Sequence, residues 1–157
     1  MNLKKVTLLS AAILVTLLVG AVALNAIAGD KALKLKVKWR PVTYTLGNPP
    51  PDPWHAEIFF APLLPLEQID TSTILLEGMY SPSGTPTILA TSPPRMSVPF
   101  DGDDVLRAVL AKAPHLEPGF TYHISLTITG NLKTEYGGTP FSGDGAVNLI
   151  IPEISPP

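Results

Sequence analysis

The chain has no cysteine, and this absence excludes two common ways of holding a small domain together. Without thiols there can be no disulfide, which small exported domains often use, and no zinc site built from thiolates. Asn-x-Ser/Thr sequons are also missing, so standard N-linked glycosylation is not indicated. A length of 157 residues is enough for one domain held by apolar burial, hydrogen bonds and stiff loops.

Basic residues are scarce outside one short stretch. Five of the 11 Lys and Arg residues lie between Lys31 and Arg40, and the net charge of the chain is −2. The remainder is acidic and offers no basic stripe for nucleic acid. The motifs of serine hydrolases, phosphate loops and dinucleotide sites are absent, and nothing selects a catalytic pair among the 13 acidic residues. We therefore expect a protein that is not an enzyme, needs no cofactor and binds no nucleic acid.

The first 28 residues have the three parts of an export signal. Lys4 and Lys5 precede an uncharged apolar run, Val6–Ala28, which ends in the small-residue sequence Ala26-Ile27-Ala28. This order is typical of a cleaved secretory signal. The run is also long enough to span a bilayer as an uncleaved anchor, and a pilin-like leader cut after Lys5 is a third reading. The sequence thus predicts a signal peptide or membrane anchor over 1–28 and an extracellular or cell-surface domain over 29–157.

The rest of the chain is dominated by alternating patterns that indicate β-strands. Leu33–Trp39 alternates apolar residues with lysines, and Phe120–Thr129 alternates over ten residues, so each predicts a strand with one buried face. A turn is expected at Gly130-Asn131, after which Leu132–Tyr136 would pair back, and Gly137-Gly138 would turn the chain again. Further strands are predicted at Val42–Leu46, His55–Ala61, Thr73–Glu77, Thr87–Thr91, Met96–Phe100 and Gly145–Ile151.

One helix is predicted between Asp101 and Lys112. Asp101 is a good N-cap residue, and Asp104 imitates the third position of a capping box. Val105, Leu106, Val109, Leu110 and Ala113 give the helix an apolar face, and Pro114 ends it. About eight short strands with frequent turns and a single helix predict an all-β fold, an antiparallel β-sandwich.

Several short motifs in the second half of the chain occur in a familiar order. They resemble an immunoglobulin-like β-sandwich module of secreted bacterial and archaeal surface proteins. The module has an "Ile-Asp-x-Ser-Thr-Val-x-Leu-x-Gly" segment and closes with a valine-rich strand, Thr-Gly and "Gly-Thr-x-Phe-x-Gly". The matching stretches here are Ile69–Gly78, Val98–Asp101, the helix Asp103–Lys112, Ile124–Gly130 and Gly138–Gly143, and Val37–Pro41 is weakly similar to its opening.

The resemblance implies an extracellular structural or adhesive module with no enzymatic activity. The chain departs from the pattern at the opening, which lacks the Asp and the Gly of the family, and in a proline loop at Gly47–Pro53. Many members carry an "Asp-x-Asp-Gly-Asp" loop that implies calcium, and the corresponding residues here are Asp101, Asp103 and Asp104.

These three acids are the candidate metal ligands. Calcium needs six to eight oxygen ligands, and the positions that would complete an EF-hand loop hold Val105 and Leu106. Helix capping explains the acids without a metal. His55, His115 and His123 are scattered and form no i,i+4 pair for zinc.

Two hypotheses of function remain. The first is a non-catalytic structural or interaction module of the cell surface that assembles with copies of itself, or with other surface proteins, by β-strand addition. Its candidate residues are the apolar face of the first strand, Leu33, Leu35, Val37 and Trp39. The second is a secreted ligand-binding domain, for example a glycan binder, or an enzyme-accessory domain. An exposed row of aromatic residues would favour the second hypothesis, whereas buried aromatics would favour the first.

Overall fold

A computed structural model describes residues 32–62, 64–113 and 115–153. Strands make up 51% of the described residues, so the prediction of an all-β fold with one short helix is confirmed in broad terms. The signal helix predicted for residues 1–28 lies outside the described residues. The strands are β1 (Leu33–Arg40), β2 (Thr43–Thr45), β3 (Trp54–Phe59), β4 (Ile69–Leu76), β5 (Thr87–Thr91), β6 (Pro94–Phe100), β7 (Thr121–Leu132) and β8 (Pro140–Ile150), with helix α1 (Gly102–Lys112) between β6 and β7.

The strands form one curled mixed sheet, a half-barrel, in the order β4-β7-β8-β1-β3-β6-β5, with β2 also on β8. The antiparallel prediction is wrong in one respect, because β1 and β2 both run parallel to β8. β1 pairs with β8 from Leu33 to Lys36 and with β3 from Lys36 to Arg40. A single strand therefore joins the β4-β7-β8 part of the sheet to the β3-β6-β5 part.

The concave side of the sheet holds the hydrophobic core. The ring centroid of Trp39 lies 6.5 Å from that of Trp54 in an edge-to-face contact and 6.0 Å from that of Phe100. Tilted and edge-to-face aromatic pairs of this kind stabilise a core beyond the apolar area that they bury. The largest fully buried side chains are Trp39, Trp54, Phe100, Phe141, Ile58, Ile74, Leu76, Leu126, Ile128, Leu149, Val98 and Val105.

Helix α1 confirms the predicted helix and its cap. Oδ1 of Asp101 accepts hydrogen bonds from the backbone N–H groups of Asp103 (2.9 Å) and Asp104 (3.2 Å). These bonds satisfy donors that have no partner inside the helix. Of the predicted apolar face, Val105 and Val109 are buried and Leu106 and Ala113 are half-buried, but Leu110 is 37% exposed. Ala108, which the prediction omitted, is buried.

The connection between β7 and β8 differs from the prediction. Gly130 and Asn131 do not turn the chain but continue β7, opposite Phe141 and Pro140 of β8. The predicted strand Leu132–Tyr136 is also wrong, because a 3-10 helix occupies Thr134–Tyr136. The turn comes at Gly137 and Gly138, as predicted, where the backbone adopts φ values of +88° and +60°.

Candidate functional site

The candidate site is the position in the sheet where β1 pairs with β8 on one side and β3 on the other, here called the seat of β1. The four residues proposed for self-association lie along one face of this strand. Val37 and Trp39 are buried in the core, whereas Leu33 and Leu35 are half-buried and pack against its rim. The indole Nε1 of Trp39 donates a hydrogen bond to the carbonyl oxygen of Gly145 on β8 (3.2 Å). The structure thus brings the predicted residues together inside their own domain.

Two glycines of β8 let β1 approach closely. A Cβ placed on Gly143 would lie 2.8 Å from the carbonyl oxygen of Leu35, and one on Gly145 would lie 2.8 Å from that of Val37. Side-chain carbons do not come this near to backbone oxygens, so only glycine fits at either position. Sequence reasoning missed this role, since glycines near Gly137-Gly138 are equally consistent with loops. Their alternation inside an apolar pattern, in Phe141–Val147, was the available signal.

The other face of β1 carries a row of cations. Lys34, Lys36 and Lys38 are exposed, and in the part of the chain that the structure describes none of them forms an ion pair with a carboxylate. The Nζ of Lys34 donates to Oγ of Ser142 (3.0 Å), and that of Lys38 lies 5.3 Å from the ring centroid of Phe59. The lysines therefore form the solvated strand face that the sequence predicts.

Arg40 ends this row beside a carboxylate that the sequence did not single out. The Nε of Arg40 donates to Oε1 of Glu57 (2.5 Å), and the side chain of Glu57 is only 9% exposed. The second carboxylate oxygen, Oε2, is buried without a hydrogen-bond partner. Burying a charge is costly unless it is paired. The pair therefore fixes the end of β1 on β3 more than it adds net stability. The position of Glu57 between the apolar residues Ala56 and Ile58 was the only sequence signal.

Two of the three candidate metal ligands stabilise helix α1 through their side chains. Asp101 caps α1, and Oδ1 of Asp104 accepts from Nη1 of Arg107 (2.8 Å). Asp103 is exposed and acts at a distance on Tyr44, whose pKa is raised first by burial and second by the charge of Asp103. Among the described residues, no three His, Asp or Glu side chains are grouped so that they could hold a metal ion.

The histidines and most aromatics do not form a binding surface. Nδ1 of His55 lies 3.0 Å from Oγ of Ser97, and Nδ1 of His123 lies 2.7 Å from Oδ1 of Asn148, at separate places on the outer face of the sheet. Trp39 and Trp54 are 2% and 0% exposed, whereas Phe120 and Tyr136 are the exposed aromatics. The described residues thus contain no row of exposed aromatic rings of the kind that sugar-binding surfaces use.

Comparison with protein-family models, characterised proteins and solved structures found no match. Among the described residues there is no helix whose length and hydrophobicity would let it span a bilayer.

Proposed function

We propose that the chain is an exported, non-catalytic structural module of the cell surface, and that it associates with copies of itself by exchange of strand β1. The observation that carries the proposal is the place of β1. It is the first strand of the described residues, yet it supplies the central link of the sheet between β8 and β3. A neighbouring copy could supply the same strand with the same contacts, because exchange of an identical element leaves the local interactions unchanged.

The burial of both tryptophans favours this function over glycan binding. Trp39 and Trp54 pack in the core and cannot stack on a sugar without unfolding the site. Trp39 also makes β1 specific for its seat, because its indole N–H reaches Gly145 and its ring fills the space beside Phe100. The contact is therefore strong and directional, as strand addition requires.

The lysines of β1 suit an exchangeable strand. An exposed strand edge invites pairing with any other edge, and lysines are a common protection against it. Lys34, Lys36 and Lys38 would keep a released β1 soluble, while Val37 and Trp39 would direct it to a matching seat. The two-residue link Pro41-Val42 joins β1 to β2 and would act as the hinge.

The arrangement of the strands in two layers is part of the same proposal. We infer an immunoglobulin-like arrangement in which the two strand groups are layers and β1 is shared between them. Supporting this arrangement, β1 pairs antiparallel with β3 and parallel with β8. The buried faces of both groups contribute to one core.

Export is tested by N-terminal sequencing of the protein recovered from the cells that make it. A start near Gly29 is expected and corresponds to cleavage after Ala26-Ile27-Ala28. A start at Met1 would indicate a retained anchor, and a start at Val6 a pilin-like leader. Recovery of the whole protein from the cytoplasm would contradict export.

Strand exchange can be tested by disulfide trapping, because the chain has no cysteine of its own. Lys34 faces Ser142 in the β1–β8 register. Paired strands bring Cα atoms to about 5 Å, which suits a disulfide. In a mixture of Lys34→Cys and Ser142→Cys variants, exchange predicts a covalent dimer between the two variants after oxidation. Lys38→Cys mixed with Ser142→Cys is the control, because Lys38 pairs with Glu57 and lies out of reach.

The double variant gives the second measurement. If β1 exchanges, oxidation of assembled Lys34→Cys/Ser142→Cys protein yields a ladder of covalent oligomers on a non-reducing gel. Oxidation of the dilute monomer should instead join β1 to β8 of the same chain by a disulfide and abolish assembly until a reductant is added. Intramolecular disulfides alone at high protein concentration, together with a strictly monomeric wild-type chain, would refute strand exchange.

A further inference from the structure

The segment 78–94 differs in composition from the rest of the domain. It lies between Glu77 and Arg95 and is the longest stretch without a charged residue in the described part of the chain. Four of its residues are prolines, and six carry aliphatic hydroxyl groups. These serine and threonine residues are Ser81, Ser83, Thr85, Thr87, Thr91 and Ser92.

All six hydroxyl residues are exposed. In the described residues their hydroxyls take no part in side-chain hydrogen bonds, in contrast to Ser72, whose Oγ donates to Oδ1 of Asp70 (2.6 Å). A groove of about 420 Å³ runs beside Thr85, and Ser, Thr, Pro and Gly residues line it. The six hydroxyls are therefore accessible, and those of Ser81, Ser83 and Thr85 border the groove.

Strand β5 makes part of this segment accessible in an extended form. It is an end strand of the sheet and pairs only with β6 among the described residues. An enzyme that modifies a peptide commonly holds it as an extended strand, and a free edge permits that pairing. Thr87 and Thr91 stand at the two ends of β5, and Thr85 precedes it across Pro86.

The same segment leaves apolar side chains uncovered. Met79 is 67% exposed, Ile88 53% and Leu89 42%. An uncharged edge strand with exposed apolar residues is a liability for indiscriminate association, and no lysine protects it as lysines protect β1. A bulky, hydrated group on the neighbouring hydroxyls would shield the edge.

We propose that the 78–94 segment is a site of O-linked glycosylation, with Thr85, Thr87 and Thr91 as the acceptors. Segments rich in Ser, Thr and Pro are the usual carriers of O-linked sugars. The proposal does not depend on exchange of β1, because it needs only accessible hydroxyls and a modifying enzyme in the compartments through which the chain passes.

The chemistry is a group transfer without oxidation or reduction. The Oγ1 of the threonine attacks the anomeric carbon of a sugar that is activated as a nucleotide or lipid phosphate. A carbon–oxygen bond forms to the threonine, the bond from the anomeric carbon to the phosphate oxygen breaks, and the phosphate leaves with the electron pair. The hydroxyl proton passes to a base of the transferring enzyme.

The charged residues that flank the segment allow it to be cut out as a single peptide for analysis. Cleavage after Glu77 by a glutamate-specific protease and after Arg95 by trypsin releases Gly78–Arg95 as one peptide, because there is no other Glu, Asp, Lys or Arg inside it. Mass spectrometry of this peptide, from the protein purified from the cells that make it, should show added masses equal to whole sugar residues. Fragmentation by electron transfer should place them on Thr85, Thr87 or Thr91.

Variants made in the same cells provide the controls. Thr85→Ala/Thr87→Ala/Thr91→Ala should lose the added mass from this peptide, whereas Thr134→Ala should not change it. Thr134 is also exposed, but it lies between Lys133 and Glu135 and has no neighbouring proline. An unmodified Gly78–Arg95 peptide in the native protein overturns the proposal, and added mass confined to other peptides does so as well. Cross-links between the β5 strands of two copies in unmodified protein would instead show that a second copy of the chain, and not a sugar, shields this edge.

Discussion

The ring of Phe141 lies directly over Gly130, its partner in the β7–β8 ladder. A Cβ on Gly130 would come within 2.4 Å of Cζ of Phe141, so no other residue fits without movement of the ring. The ring in turn makes an edge-to-face contact with Phe60, with 5.9 Å between centroids. The glycine therefore allows β7 to continue through a point where its sequence resembles a turn.

Gly130→Ala is expected to lower the free energy of unfolding by about 1–3 kcal/mol, because overpacking forces the ring or the backbone to shift. The measurement is a urea unfolding curve monitored by far-UV circular dichroism. Gly84→Ala is the matched control. Gly84 lies in a loop, where an added Cβ would lie 3.3 Å from Cγ of Pro99, a close contact but no overlap, so Gly84→Ala should cost clearly less than Gly130→Ala. Equal costs for the two variants would contradict this account.

Much of the fold could be predicted from the sequence, and the failures have a common cause. Alternation located β1 and β7, the cap and apolar spacing located α1, and β5 was predicted with its observed bounds. These features are local. The parallel pairing of β1 with β8 depends on residues more than a hundred positions away in the chain. The continuation of β7 through Gly130 depends on Phe141, about ten positions away. Local periodicity carries no information about such partners.

The candidate site was predictable only in part, for the same reason. The apolar face of β1 was evident from its own residues. The seat of β1 was not evident, because the roles of Gly143 and Gly145 are seen only once Leu35 and Val37 are placed beside them. Glu57 became notable only when the pairing of β1 with β3 brought Arg40, which lies opposite His55, within hydrogen-bonding distance of its carboxylate.

Asp101→Ala should destabilise the domain by about 1 kcal/mol, since two backbone N–H groups of α1 lose their acceptor. Asp101→Asn is the control and should be close to neutral, because asparagine is an equally good N-cap. Thermal unfolding measures both. Calcium at millimolar concentration should leave the melting temperature of the wild type unchanged. A large rise would show that Asp101, Asp103 and Asp104 hold the ion, because a ligand that binds the folded state stabilises it.

Glu77 ties the end of helix α1 to β7. Its Oε1 accepts from the backbone N–H of Thr127 (2.5 Å) and from Nζ of Lys112 (2.7 Å), and Nζ of Lys112 also donates to the carbonyl oxygen of Ser125 (2.9 Å). Glu77→Ala should cost about 1–3 kcal/mol, because a partly buried N–H loses its acceptor.

Glu77→Gln separates the two interactions. It keeps an oxygen for Thr127 and loses only the ion pair with the partly exposed Lys112, so its cost should be below about 1 kcal/mol. Glu135→Ala, at an exposed residue of the 3-10 helix, should be silent in the same unfolding assay. If Glu77→Gln were as costly as Glu77→Ala, the ion pair with Lys112 rather than the hydrogen bond from Thr127 would account for the stabilisation by Glu77.

Stability at alkaline pH should depend on Tyr44. Its hydroxyl donates a hydrogen bond to the carbonyl oxygen of Asn48 (2.5 Å). Burial, and to a lesser extent the charge of Asp103, raise the pKa of Tyr44 above its ordinary value of 10.0. A pKa that is raised in the folded state means that folding favours the protonated phenol. The resulting stabilisation is fully present below pH 10.0 and is lost as the pH rises through the folded-state pKa.

Two variants distinguish this residue from general alkaline unfolding. Tyr44→Phe should lose a hydrogen bond and so be less stable than the wild type near neutral pH, and its free energy of unfolding should fall less steeply above about pH 10. Asp103→Asn removes the smaller cause of the shift, so its alkaline loss should be intermediate. The measurement is the urea midpoint of each variant at a series of pH values from neutral to about pH 11, where the unfolded-state tyrosine has ionised. Parallel curves for the wild type and Tyr44→Phe would show that some other group governs the alkaline limit.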